Sequence, residues 1–207
     1  MDPYLQNVLF IMALLFPLCI TAYPSGQGIE GSCTSMIPTH GASAQTSSAP
    51  YTVGLSKCTY SSGERITVTL STNSGGSQFT GFLIQARAGS SNTPIGSFET
   101  SNSNAQTLTC TSSATAVSHT SSSRKSSVQV TWVAPKDNIT DIQLRATVVQ
   151  VEKTFWTNVA SSKLFYVTSS SSNSTGNIDC VLGNNGFSIP TVHGLLLFAI
   201  ISITNLI

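Results

Sequence analysis

The sequence carries little charge, and it lacks the motifs that mark the common enzyme classes. Only 8% of its 207 residues are Asp, Glu, Lys or Arg, and the formal net charge is +1. Because no basic face emerges from so few charges, nucleic acid is not an expected partner. No G-x-S-x-G, H-E-x-x-H, P-loop or EF-hand motif occurs, and each of these ties a chemistry to a fixed spacing. We therefore expect a protein that is not an enzyme, with no catalytic residues, no cofactor and no metal.

Long hydrophobic runs are also missing, and the two apolar segments near the ends are short. Residues 1–22 have the pattern of a signal peptide, although no Lys or Arg precedes the apolar run, and an N-terminal membrane anchor is the alternative. Residues 191–207 form an apolar tail with fourteen residues from Gly194 onwards, whereas a spanning helix needs about twenty. The tail is typical of a GPI-attachment signal, with Gly183 and Asn184 as attachment candidates and a short membrane anchor as the alternative.

The segment between the folded part and the tail is rich in Ser and Thr. Residues 168–190 have too little apolar area to fold, which predicts a stalk and spacer. Asn138 and Asn173 each begin an N-glycosylation sequon. With the signal peptide, these features predict an extracellular protein that is secreted or held on the outer face of the plasma membrane through its C-terminal anchor.

Secretion changes how the cysteines are interpreted. It would leave Cys33, Cys58, Cys110 and Cys180 in an oxidising compartment, where disulfides form. No Cys-x-x-Cys occurs, which argues against a zinc ribbon or a thioredoxin-type redox site. Spacing alone leaves all three possible pairings of the four cysteines open.

Residues 23–167 are patterned as β-structure, most clearly along residues 81–87. Two sets of side chains alternate there: Phe82, Ile84 and Ala86 against Leu83, Gln85 and Arg87. This alternation predicts a half-buried strand, and Gly81 predicts a bulge or a close approach of another stretch of backbone. Other strands are predicted over residues 65–70, 95–98, 108–110, 114–119, 126–133, 142–148 and 163–167.

Seven or eight short strands, frequent turns and no amphipathic helix predict one all-β domain. The expected architecture is an antiparallel β-sandwich of immunoglobulin-like type. Residues 26–31 match the dinucleotide pattern G-x-G-x-x-G, but no strand precedes them and no helical pattern follows. We interpret that match as accidental.

Two groups of residues are candidates for binding. His40 and His119, with Met36, would hold a metal or haem iron if they met in space. The alternative is a pair of hydrogen-bonded loop histidines, which we favour because a metal site needs three or four ligands. The second group is aromatic and would form either an exposed binding patch or, as we favour, part of the core; it comprises Tyr51, Tyr60, Phe79, Phe155 and Trp156.

Several short motifs occur in an order that resembles a known family. They are Cys33-x-x-Met36-x-Pro38-x-His40-Gly41, Phe79-x-Gly-Phe-x-x-Gln-Ala-Arg87, Gly96-x-Phe98, Trp132-x-x-Pro135 and Phe155-Trp156. Together they resemble the reeler (reelin N-terminal) domain over about residues 23–167, in particular its small insect defence proteins and its ferric-chelate reductases.

The resemblance implies an immunoglobulin-like sandwich with a disulfide between Cys33 and Cys110. By elimination Cys58 and Cys180 then form a second pair. The family resemblance also implies a binding module of innate immune or antimicrobial defence, with a microbial surface ligand or an extracellular protein as partner. An adhesion or matrix protein and an iron or redox accessory of the ferric-chelate reductases are the alternatives. The large reductases owe their chemistry to DOMON and cytochrome b561 domains, whose haem-binding spans this sequence lacks.

Overall fold

The computed structural model describes residue 25 and residues 28–168 of the chain. The predicted signal peptide and apolar tail lie outside the described residues, as does all but the first residue of the predicted stalk. The same holds for Cys180, Asn173, Gly183 and Asn184. Within the described part, no helix is long and apolar enough to span a membrane.

Ten strands follow one short 3-10 helix, Ile29–Ser32. The strands are β1 (Tyr51–Leu55), β2 (Thr59–Tyr60), β3 (Arg65–Thr72), β4 (Gly81–Ala88), β5 (Ser97–Glu99), β6 (Ala105–Leu108), β7 (Ala116–His119), β8 (Ser127–Val133), β9 (Ile142–Val151) and β10 (Thr154–Tyr166).

The strands form two sheets. One has four strands in the order β1-β3-β8-β5, and the other has six in the order β2-β10-β9-β4-β7-β6. All neighbouring strands are antiparallel except β2 and β10, which pair in parallel. The predicted all-β antiparallel sandwich is therefore confirmed.

The core lies between the two sheets because each contributes one apolar face. In the four-stranded sheet Ile66 pairs with Trp132 in register, and in the six-stranded sheet Ile84 pairs with Ala146. Alternate side chains along β3, β4, β8 and β9 belong to one buried cluster. Period-two alternation places them all on the inner faces, as the sequence predicts.

The structure has more strands than the seven or eight predicted, and one is much longer than expected. Residues 155–156 and 163–167 were predicted to be separate features, yet both lie in one strand, β10, which runs over Thr154–Tyr166. Its register against β9 shifts at three points, and Asn158 has a φ of 55°. These bulges break the alternation that identifies a strand in sequence. The prediction that Cys110 lies on a strand was also wrong, because β6 ends at Leu108.

Strand β4 differs from the prediction of a half-buried strand. Every residue from Gly81 to Arg87 is buried, so neither of its faces meets solvent. The inner face packs in the sandwich core, and the outer face is covered by the chain that precedes β1. That covering segment builds the site described next.

Candidate ligand-binding cavity

Residues 28–48 run across the outer face of the six-stranded sheet, and we call them the N-terminal segment. A disulfide between Cys33 and Cys110 joins this segment to the chain just after β6, with the two Cα atoms 5.5 Å apart. This is the pairing that the family resemblance implies. Cys58 is disulfide-bonded as well, and its pairing with Cys180 stays a prediction.

A buried arginine fastens the segment to the middle of the sheet. Arg87 is 4% exposed, and its Nη2 donates to the carbonyl oxygens of Cys33 at 2.8 Å and Thr34 at 3.0 Å. Gln85, its neighbour on the outer face, donates to the same Cys33 carbonyl at 3.0 Å. Burial lowers the pKa of Arg87, and the nearby charge of Arg145 lowers it further. Carbonyl oxygens rather than a carboxylate therefore solvate this guanidinium.

Met36 makes the next attachment, in a backbone conformation that is unusual for its residue type. Its φ is 55°, and its carbonyl accepts a hydrogen bond from the hydroxyl of Thr147 on β9. The side chain packs in a small apolar cluster with Leu83, Leu108 and Ala116. The hydrogen bond and the apolar contacts together hold this turn of the segment against the sheet.

The third attachment joins the segment to the β9–β10 hairpin. Nδ1 of His40 is hydrogen-bonded to the carbonyl of Glu152, and the imidazole lies edge-on to the ring of Phe155 with centroids 6.2 Å apart. Further along, the backbone N–H of Gln45 donates to the carbonyl of Phe155 at 2.8 Å. His40 therefore has a structural role at the edge of the covered face.

Between these attachments the segment stands away from the sheet and leaves a cavity of about 570 Å³. We call it the sheet-face cavity. Its apolar lining residues are Ile29, Met36, Pro38, Phe82, Leu83 and Val149. Its polar lining residues are Ser32, Thr39, His40, Thr80, His119, Ser122, Thr147 and Glu152. The cavity thus combines apolar walls with a few polar groups, as small-molecule sites do.

His119 reaches the cavity because Gly81 has no side chain. A Cβ on Gly81 would lie 3.1 Å from Cε1 of His119, which is tighter than an ordinary contact. Nδ1 of the imidazole lies 3.2 Å from the backbone nitrogen of Phe82 and 3.3 Å from its carbonyl oxygen. The close approach predicted at Gly81 is therefore made by a side chain.

Lys125 lies behind one part of the cavity wall and is 4% exposed. Its Nζ donates to the carbonyls of Thr80 at 3.1 Å, Ser121 at 2.6 Å and Ser123 at 2.6 Å. Burial lowers the pKa of Lys125. None of the three ion pairs within the described part of the chain includes it, so three carbonyl dipoles and no carboxylate balance its charge.

The predicted candidates fall partly on this cavity. His40, His119 and Met36 all line it, so the sequence hypothesis brought together residues that do share one site. Over residues 28–168, no group of three His, Cys, Asp or Glu side chains is arranged to hold a metal. Met36 is committed to its apolar cluster.

The aromatic candidates do not form a surface patch. Each of the five, from Tyr51 to Trp156, is less than 9% exposed, and Tyr51 packs edge-on against both Phe79 and Trp156. These five residues are therefore buried in the protein, as we favoured, and do not form an exposed binding patch.

Asn138, the first glycosylation candidate, is exposed. The next residue, Ile139, is anchored because its backbone N–H donates to the hydroxyl of Tyr60 at 3.1 Å. An exposed asparagine on an anchored turn is accessible to glycosylation, and its modification stays a prediction.

Sequence reasoning missed Lys125 as part of the site. It stands beside the exposed Arg124 in a serine-rich stretch and has the appearance of an ordinary surface lysine. Nothing in its neighbours signals burial, because its partners are backbone carbonyls. Val149, near the end of β9, and Glu152, just after it, were missed as well. Their sequence does not indicate that the N-terminal segment packs over them.

Comparison with known proteins identifies the family. The Reeler domain model matches residues 31–172. The chain belongs to the reeler domain family. The Reelin-N domain of F-spondin has the same fold, with a TM-score of 0.51, 21% identity, and coverage of 61% of this chain and 93% of that one.

Relatives of two kinds match this reeler chain. Ferric-chelate reductase 1 of Mus musculus is 40% identical over 75% of this chain, which covers 26% of that protein. Defense protein l(2)34Fc of Drosophila melanogaster is 30% identical over 72% of this chain, which covers 91% of that protein. The chain thus spans about a quarter of the reductase and nearly the whole of the defence protein.

Proposed function

We propose that this reeler protein is an extracellular binding module of innate defence that takes its ligand in the sheet-face cavity. The cavity is the observation that carries the proposal. Its volume of about 570 Å³ lies in the range of ligand pockets, which are mostly apolar with a few placed polar groups. The family's fold alone does not assign a function, whereas the lining of this cavity indicates what it can bind.

The choice of defence over reductase chemistry is supported by what the matched region contains. The similarity to the Drosophila melanogaster defence protein extends over 91% of that protein, so the reeler fold makes up nearly all of it. In the mouse reductase the same region is 26% of the whole. A module that forms nearly the whole of one relative can act by binding alone.

Bacterial binding by the purified protein tests the proposal, with a variant that blocks the cavity. Thr39 is an exposed residue of the cavity lining, so Thr39→Trp fills the opening without disturbing the core. Thr107→Trp is the matched control, because Thr107 is equally exposed on β6 but lies outside the lining. We expect wild type and Thr107→Trp to sediment with bacterial cells and Thr39→Trp to lose most of this binding.

Two outcomes would contradict the proposal. Equal sedimentation of all three proteins would place recognition on another surface. Absence of binding by wild type to both Gram-negative and Gram-positive cells would favour the adhesion or matrix alternative, which binding to host-cell matrix would then support.

A second candidate, an iron or haem accessory, is favoured by one observation. His40 and His119 line the same cavity, and Nδ1 of His40 is bonded to a backbone carbonyl, as is common for metal-bound imidazoles. A Soret band after haem addition, or stoichiometric iron that His40→Gln removes, would support this function. Unchanged absorbance and no retained iron would end it.

A further inference from the structure

The sheet-face cavity has an electrostatic asymmetry that specifies the ligand more closely. Lys125 is a buried cation that donates to the carbonyl of Thr80, a lining residue, and to the carbonyls on either side of the lining residue Ser122, those of Ser121 and Ser123. Glu152 is the one carboxylate residue of the lining. It lies on the β9–β10 hairpin, where its backbone carbonyl is hydrogen-bonded to His40. Positive charge therefore stands behind one part of the cavity, and the carboxylate residue lies on the hairpin.

The hydrogen bonds of Lys125 orient backbone dipoles at the cavity lining. Because a trans peptide unit points its C=O and N–H in opposite directions, the Ser121 carbonyl that bonds Nζ aims the N–H of Ser122 away from the ammonium group. Ser122 is exposed and lines the cavity. Such oriented backbone dipoles attract anions. Its hydroxyl adds a donor at the same place, whereas the hydroxyl of Thr80 already donates to the carbonyl of Val149 at 3.3 Å.

The rest of the lining suits a hydrocarbon chain. Ile29, Met36, Leu83 and Val149 supply apolar walls. Two of the exposed large apolar residues, Ile37 and Val151, are within three residues of the His40–Glu152 hydrogen bond at the cavity. The apolar lining residues are those that a hydrocarbon chain requires.

We propose that the sheet-face cavity binds a single-chain amphiphile with an anionic head group, its hydrocarbon chain between Ile29, Met36 and Leu83 and its head against Ser122. This inference rests on the proposed function, since it names the chemical class of the ligand of that same cavity. A fatty carboxylate is the simplest example of the class.

Competition for a neutral fluorescent probe tests the head group. N-phenyl-1-naphthylamine is titrated into the purified full-length protein, and sodium oleate and methyl oleate then compete for its site. We expect oleate to displace the probe at one molecule per protein, and methyl oleate to bind about tenfold more weakly, since one favourable charge contact is worth about 1.4 kcal/mol.

A charge reversal at the head-group position sharpens the test. Ser122→Asp changes an exposed side chain and should weaken oleate about tenfold more than it weakens methyl oleate. Ser101→Asp is the matched control, because Ser101 is exposed and lies outside the lining. Lys125→Gln should reproduce the Ser122→Asp effect, and Ser122→Asp keeps the test valid if Lys125→Gln fails to fold.

The outcomes separate this inference from the function on which it rests. If the probe binds and oleate competes no better than methyl oleate, the anionic head group is wrong and the cavity remains a binding site. If neither the probe nor oleate binds, both proposals fall. Sedimentation of the protein with phosphatidylglycerol vesicles, without probe displacement by monomeric oleate, would assign the anion preference to a membrane surface and overturn the inference.

Discussion

The two faces of the six-stranded sheet are covered in different ways. The inner face meets the four-stranded sheet through apolar side chains from several strands, which belong to one buried cluster. The outer face meets a segment with one short 3-10 helix before β1. That segment is held by a disulfide, by carbonyl contacts of Arg87, Gln85 and Thr147, and by a small apolar cluster.

The difference explains why the cavity lies on the outer face. Apolar packing is not directional and fills space to a high density, so the inner face leaves no room for a ligand. Hydrogen bonds and a disulfide hold a chain at particular points. Between those points the chain can stand away from the sheet, and the sheet-face cavity occupies that space.

The largest expected effect compares neighbouring residues of β4 that point to opposite faces. Ile84 is fully buried in the core, and Leu83 is 4% exposed beside the cavity. We expect Ile84→Ala to lower the free energy of unfolding by about 4 kcal/mol and Leu83→Ala by about 2 kcal/mol, because Leu83 packs in the small apolar cluster and borders the cavity. Urea denaturation measures both.

Probe binding separates the two substitutions further. Leu83→Ala should change the affinity for N-phenyl-1-naphthylamine, whereas Ile84→Ala should leave it unchanged at temperatures where the protein is folded. Equal losses of stability with equal changes in affinity would break the distinction between the two faces.

A smaller effect is expected from removing the covalent attachment of the segment. The double variant Cys33→Ser, Cys110→Ser loses a disulfide between residues 77 positions apart in sequence, at a cost of about 2–4 kcal/mol. Hydrogen exchange should quicken most in residues 29–40, and probe affinity should fall. The double variant leaves the disulfide of Cys58 intact, unlike chemical reduction. Unchanged probe affinity would show that Arg87 and Met36 hold the segment without the disulfide.

The smallest effect lies at a turn remote from both faces and gives a baseline. Burial raises the pKa of Glu64, but hydrogen bonds from Lys57 and Ser61 outweigh it, so the pKa lies below its ordinary value of 4.5. The ionised carboxylate therefore adds stability above about pH 4.5, and this is lost as the pH falls through the folded-state pKa. Glu64→Gln should cost about 0.5 kcal/mol at pH 7, since Lys57 is exposed.

Denaturation of wild type and Glu64→Gln at pH 7 and pH 3 measures this contribution. The difference between the two proteins should shrink at pH 3, where the carboxyl group of wild type becomes protonated. A difference that grows on acidification would reverse the assigned sign. Probe affinity should be the same for both proteins at pH 7.

The inner face could be predicted from sequence because burial of one side of a strand leaves a period of two. Residues 82–87 and 126–133 show this directly, and both are strands in the structure. The alternation fails where the backbone bulges, as at Asn158 in β10. Only residues 163–167 were therefore predicted as a strand where β10 runs from Thr154 to Tyr166.

The outer face could be predicted only in part. The family resemblance implied the Cys33–Cys110 pairing, and His40, His119 and Met36 were singled out by residue type. Their arrangement depends on contacts such as His40 with Glu152, 112 residues apart, which no local pattern encodes. The burial of Lys125 depends on three backbone carbonyls, and carbonyls are present at every residue.

The long separations across the outer face also bear on the order in which the molecule forms. A chain is synthesised from its N-terminus. Met36, His40 and Gln45, however, are hydrogen-bonded to Thr147, Glu152 and Phe155, respectively. The N-terminal segment can therefore attach to the sheet only after β9 and β10 have formed. Contacts this distant in sequence also form slowly. Recovery of probe binding during refolding would thus time the final step of folding, after the sandwich itself is complete.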